Sequence, residues 1–175
     1  AEKTGLLGKV RKQLDEAGLK YVELGGVVAN PRIDLIRKGI EFAKKENVDF
    51  ILAVGGGSVI DSAKSIGMGL ANNMDPWDMI INQIKPTRMF PVGVVLTIAA
   101  AGSEMSNSHV VTNPENHLKR SLNHDLLRPV VAFMNPENTF SVSKYQTACG
   151  IVDILMHTFE RYFTPDEDND LTDRI

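Results

Sequence analysis

Apolar positions along the chain alternate between helical and strand spacing. In residues 4–17, Leu6, Leu7, Val10 and Leu14 recur on one helical face, and Gly18 ends the segment. Residues 20–24 predict a short strand before the turn Gly25-Gly26. Asn30-Pro31 reads as a helix cap followed by a first-turn proline. The helix it opens, residues 32–46, is expected to bury Ile33, Ile36, Ile40 and either Phe42 or Ala43. The apolar run that follows predicts a buried strand over residues 49–54, then the turn Gly55-Gly56-Gly57, then a helix over residues 58–70. Helix and strand in this order form a βαβ pattern and imply a parallel sheet.

After Asn72-Asn73 the rhythm changes. Asp75-Pro76-Trp77-Asp78 predicts a capped turn into a short helix. Residues 91–98 and 129–134 predict further strands. Residues 110–112 and 117–122 predict a hairpin around Asn113-Pro114-Glu115-Asn116. Residues 143–163 return to helical spacing behind a serine cap. The acidic stretch 164–170 reads as a solvated loop, and residues 171–175 as the start of a further helix. The fold class is therefore α/β, a Rossmann-like parallel sheet with flanking helices followed by the first helix of a helical region. The boundary is expected between residues 140 and 141. A first residue other than Met, and the interrupted pattern at the far end, suggest a fragment of a longer protein.

Composition narrows the function classes. The chain has 175 residues, of which 43% are hydrophobic and 23% charged, as in an ordinary globular domain. A net charge of −3, with no basic patch, argues against a nucleic-acid partner. No apolar run approaches the roughly 20 residues of a membrane span. The single cysteine, Cys149, excludes an intrachain disulfide framework and points to a reducing cytoplasm. Without an evident activating partner, it is expected to be buried and inert.

Three constellations could carry chemistry. In the first, Gly56 and Gly57 stand between a strand and a helix, with Ser58, Asp61 and Lys64 just beyond. Backbone amides and the helix dipole there suit a phosphate, and Ser58 can cap the helix. The alternative is a turn that only packs the helix on the strand. The second is Thr97-Ile98-Ala99-Ala100-Ala101-Gly102-Ser103-Glu104-Met105-Ser106, small and hydroxyl-bearing residues beyond a strand's C-terminal end. It is either a ligand loop or a packing loop. The third is Asp153 with His157, one turn apart in an apolar helix. They are either half of a four-donor site for zinc or ferrous iron, or a simple hydrogen-bonded pair on a packing face. His109, His117 and His124 read as surface or structural, and Lys119 as an ordinary hairpin lysine.

Taken together, the segments Glu23-Leu24-Gly25-Gly26-Val27-Val28-Ala29-Asn30-Pro31-Arg32, the glycine loop through Lys64, Asp75-Pro76-Trp77-Asp78, Gly102-Ser103-Glu104 and Asp153-x3-His157-Thr158-Phe159-Glu160 resemble the iron-containing alcohol dehydrogenase family. Within it they are most similar to the butanol dehydrogenase-like branch, whose members reduce aldehydes with NAD(P)H. The resemblance implies a dehydroquinate synthase-like fold, with a dinucleotide-binding domain over residues 1–140 that lacks its N-terminal strand. Residues 141–175 would begin a metal-binding helical domain. It implies NAD or NADP held at Asn30, Gly56, Gly57, Ser58, Asp61, Thr97, Ile98, Ser106 and Lys119. It implies a divalent metal, Fe2+ or Zn2+, held by Asp153 and His157 with two histidines from later helices. It also implies a small aldehyde or alcohol substrate, such as butanol, and a homodimer. The chain alone is expected to be inactive. Ala101 departs from the family pattern, where threonine usually stands. Other readings are a non-catalytic nucleotide-binding module, or a relative of glycerol dehydrogenase or dehydroquinate synthase.

Overall fold

The computed structural model describes residues 1–163 and Arg174. The expected loop over 164–170 and the helix start at 171–175 fall outside the described residues, Arg174 excepted. The chain divides into two compact units, Ala1–Phe140 and Ser141–Ile175.

The first unit is built on three parallel strands, β1 (Ile51–Gly55), β2 (Val92–Leu96) and β5 (Val131–Phe133), in the order β1-β2-β5. Helix α3 (Gly57–Asn72) connects β1 towards β2, as the βαβ pattern requires. Every residue of β2 is buried, which accounts for its uninterrupted apolar sequence. Register places Ala53, Val94 and Ala132 side by side. Ala53, Val92, Val94 and Leu96 pack with Ile60 and Ala63 of α3. On the opposite face, Val54, Val95 and Phe133 are in register, and Phe133 is exposed.

A second apolar cluster joins the remaining pieces. Helix α2 (Ile33–Lys45) contributes Ile33, Ile36 and Ile40, on the predicted face. Ile66 and Met68 of α3 and Trp77, Met79 and Ile80 of the short helix α4 (Pro76–Ile81) complete it. The antiparallel hairpin β3 (Ser108–Asn113) and β4 (Leu118–Asn123) adds Val111 and Leu122. Asp75 caps α4 by accepting from the Trp77 amide at 2.7 Å, with Pro76 in the first turn. Helix α1 (Leu6–Glu16) keeps Leu6, Leu7, Val10 and Leu14 only half-buried.

Three local expectations are corrected. Residues 20–24 form no strand: their backbone pairs with no neighbour among the described residues, and Tyr21, Val22 and Leu24 are exposed. Asn30 is not a helix cap. It is left-handed at φ 59°, and Arg32 occupies the cap position of α2 without a side-chain bond. The chain is turned there because the Pro31 carbonyl accepts from Thr112 N at 2.7 Å, which ties the entry of α2 to the hairpin. Ser58 lies inside the first turn of α3, and the cap is Gly56.

The second unit is described by helix α5 (Lys144–Tyr162), capped by Ser143, which accepts from the Gln146 amide at 3.2 Å. None of its residues is buried. Cys149 is accordingly exposed rather than buried. No helix among the described residues is long and apolar enough to cross a membrane.

Candidate functional site: two loops above a parallel sheet

The loops leaving β1 and β2 lie side by side. Thr97 N donates to the Gly55 carbonyl at 3.1 Å, one step past the last paired residues of the strands. The first amides of α3 point out of its N-terminus because a helix supplies them no carbonyl partner. The first bonds back into the turn are from Val59 and Ile60, both to the Gly56 carbonyl. The amides of Gly57 and Ser58 therefore stay available to an anion, reinforced by the helix dipole.

Gly56 and Gly57 serve different ends. A Cβ on Gly56 would stand 2.5 Å from Cγ2 of Ile98, so packing between the two loops excludes any side chain there. A Cβ on Gly57 would meet only the Ala101 Cβ, at 3.9 Å, which is ordinary contact. Packing does not demand glycine at Gly57. A group approaching the backbone between the loops would. That open cradle at a helix N-terminus fits the pyrophosphate of a dinucleotide.

The second loop is held from below by α3. Asp61 accepts from Ser103 Oγ at 2.5 Å and from Val110 N at 3.0 Å. One turn on, the fully buried Lys64 Nζ donates to the carbonyls of Ser106 and Ser108 at 2.9 and 2.8 Å, with Ser106 Oγ at 3.4 Å. Burial raises the Asp61 carboxyl above its usual range, opposed by the bonds from Ser103 and Val110 and by Lys64 and Lys119. Burial pulls the Lys64 ammonium down to about 8, opposed by Asp61 and Glu104.

Asn30 and Lys119 meet at the rim: Lys119 Nζ donates to Asn30 Oδ1 at 2.8 Å. The structure thus brings Lys119 from the hairpin to Asn30 at the entry of α2, and both lie at the surface. Thr97 and Ile98 are half-buried at the start of the second loop, and the Ser106 hydroxyl is turned into it towards Lys64 and Ser108.

His109 is the most deeply placed histidine. Ser65 Oγ donates to the Asp61 carbonyl at 2.8 Å, so it accepts from His109 Nδ1 at 2.7 Å, and this network assigns the ring proton. Nε2 is buried without a partner among the described residues. Burial, helped by Lys64, pulls this imidazole down to about 3, so it stays neutral. His117 sits at the hairpin turn with φ 55°, and His124 accepts from Leu126 N at 3.3 Å.

On α5 the side chains of Asp153 and His157 do share a face, with His157 Nε2 3.8 Å from Asp153 Oδ1 and Nδ1 3.3 Å from Glu160 Oε2. Both are exposed. A carboxylate oxygen and an imidazole nitrogen are suitable donors for a divalent metal. No group of three or more such donors is assembled among the described residues.

Residues 1–136 match the family model described as iron-containing alcohol dehydrogenase. The chain belongs to this family. It is 43% identical over 162 residues to the probable NADH-dependent butanol dehydrogenase 1 of Bacillus subtilis, covering 93% of this chain and 42% of that protein. It is 34% identical to the NADPH-dependent aldehyde reductase YqhD of Escherichia coli, covering 99% and 45%. The crystal structure of NADH-dependent butanol dehydrogenase A from Thermotoga maritima superposes with a TM-score of 0.88 at 36% identity, covering 98% of this chain and 44% of that one. The chain thus spans less than half the length of the curated relatives it matches.

Local pattern marks Lys64 and Ser103 as members of their motifs without giving either a role, and nothing local connects Ser65 with His109. A lysine and an aspartate one turn apart on an otherwise uncharged helix are the available signal. Their partners lie more than forty residues away, beyond the reach of local pattern.

Proposed function

We infer that this chain carries the dinucleotide-binding part of an NAD(P)H-dependent alcohol dehydrogenase or aldehyde reductase, acting on a small aldehyde or primary alcohol such as butanol. The observation that carries the reading is the space at Gly57, open between two loops at the N-terminus of α3 and required by nothing in the packing. The backbone of Gly56, Gly57 and Ser58 would hold the pyrophosphate. Thr97, Ile98 and Ser106 would line the facing wall. Asn30 and Lys119 would bound the cleft at its rim, with Lys119 contacting the nicotinamide ribose, and Asp61 would serve the cofactor from beneath the second loop by holding Ser103 and Val110. NADH-dependent and NADPH-dependent relatives both match, so the reading covers either cofactor.

Asp153 and His157 would supply two of the ligands of a divalent ion, Fe2+ or Zn2+. Two donors leave a four-ligand site half built, so this chain alone is expected to bind dinucleotide without sustained turnover. When bound, NAD(P)H supplies the hydride and the ion supplies Lewis acidity towards the substrate oxygen. The protein's own task is to hold the dinucleotide between the loops and present one face of it. A homodimer in the cytoplasm is the accompanying expectation for the complete protein.

The test is titration of the chain with NADH and NADPH, followed by nucleotide fluorescence. Saturable binding that Gly57→Ala abolishes is expected. Absence of binding by the unmodified chain would overturn the reading. For the metal, Asp153→Ala with His157→Ala in the complete protein should remove the bound ion, and unchanged metal content would refute those two ligands.

A further inference from the structure

We propose that Lys64 is a positioning residue of the cofactor cleft, whose side chain sets the conformation of the loop over residues 97–107 from beneath. This rests on the dinucleotide reading of the cleft given above.

The argument begins with an unusual burial. Lys64 is fully buried, and among the described residues no carboxylate oxygen lies within 4 Å of its ammonium; Asp61 and Glu104 act on it only from farther away. A buried cation without a close counter-ion opposes folding, and a lysine needed only for packing is served equally well by methionine. Its three N–H groups instead meet three oxygens of one short stretch: the carbonyls of Ser106 and Ser108 and the Ser106 hydroxyl. An ammonium's donors are matched by this set. Three oxygens of one stretch converge on a single point only while the chain is turned there. The same stretch is turned upstream, where Gly102 has φ 67° and its carbonyl accepts from the amides of Met105 and Ser106.

Asp61 complements this grip from the same helix. It accepts from Ser103 Oγ within the loop and from Val110 N just past it. The loop is therefore fastened by one anionic and one cationic side chain of α3. That helix also presents the Gly57 and Ser58 amides. One rigid element thus sets both walls of the cleft, and the spacing between Ile98 and the glycine turn follows from it.

The experiment compares the chain with Lys64→Met, Lys64→Gln and Lys64→Arg by amide hydrogen exchange, NADH titration and melting temperature. Lys64→Met and Lys64→Gln are expected to speed exchange in residues 97–108 and to weaken NADH binding about tenfold, the effect of losing charge-assisted bonds. Exchange in β1 and β2 should hardly change. Lys64→Arg keeps the charge and the donors, so it should restore loop protection and affinity even where its larger head lowers the melting temperature. Affinity that merely follows melting temperature across the three variants would overturn the proposal, as would loop exchange and affinity unchanged in Lys64→Met. If Lys64→Met does not fold, Lys64→Gln carries the same comparison. Failure of the unmodified chain to bind NADH would overturn the dinucleotide reading and this proposal with it. Binding indifferent to Lys64 would overturn this proposal alone.

Discussion

Lys119 and Asn30, 89 residues apart in the chain, are joined by a 2.8 Å hydrogen bond from the lysine Nζ to the asparagine Oδ1. The left-handed backbone of Asn30 and the hairpin register that pairs Lys119 with Thr112 create this contact. The Thr112 amide in turn donates to Pro31 O, so hairpin and helix entry are fastened beside the pair.

Two substitutions at Asn30 separate backbone from side chain. Asn30→Ala places an ordinary residue in the left-handed region and should destabilise by about 1–2 kcal/mol, measured by urea unfolding. Asn30→Gly removes the same hydrogen bond without that strain, so its stability should stay close to that of the parent. If the pair shapes the cofactor rim, both variants weaken NADH binding alike.

The glycine turn supports a sharper contrast. Gly56→Ala forces a methyl against Ile98 and should lower stability by about 1–3 kcal/mol. Gly57→Ala meets no obstacle and should leave stability equal or up to about 1 kcal/mol higher, since alanine favours the helix. Yet it fills the cradle, so dinucleotide binding should disappear. Unfolding curves and NADH titrations on the two proteins check both halves.

Ala101 faces Gly57 across the cleft. Ala101→Thr adds to this wall of the cleft the hydroxyl that the family resemblance leads one to expect there. One added hydrogen bond contributes about 0.5–1.5 kcal/mol, a two- to tenfold gain in NADH affinity. Calorimetric titration of parent and variant reads it directly.

His109 makes stability depend on pH in a defined window. Its folded value, about 3, lies below the ordinary 6.5. Between these values the unfolded chain binds the extra proton, so stability falls as pH falls from 6.5 towards 3 and is complete above 6.5. The slope from this group approaches roughly 1.4 kcal/mol per pH unit. Urea unfolding at several pH values should show a shallower dependence for His109→Asn.

Parts of this arrangement were legible in advance because they depend on local spacing. The βαβ order, the face of α2, the Asp75 and Ser143 caps and the hairpin all follow from apolar period and turn chemistry over a few residues. The strand expected at residues 20–24 illustrates the opposite case. Its residue types favour extension, but a strand needs a partner, and pairing is not a local property. Asn30 likewise has the residue type of a helix cap, but the hydrogen bond from Thr112 to Pro31 holds the chain at the hairpin before the helix begins.

The cleft divides along the same line. Residue order was enough to mark the glycine turn and the small-residue loop, because close backbone approach and free helix amides are written in consecutive residues; the family follows from the resemblance of its motifs and the match over residues 1–136. Tertiary structure alone decided that Ile98 excludes a side chain at Gly56 while Gly57 stays open, that Lys119 reaches Asn30, and that Asp61 and Lys64 fasten the second loop. Those relationships join residues brought together by the packing of helix, sheet and hairpin. The chain's own order specifies each partner's chemistry, and only the fold specifies the distance between them.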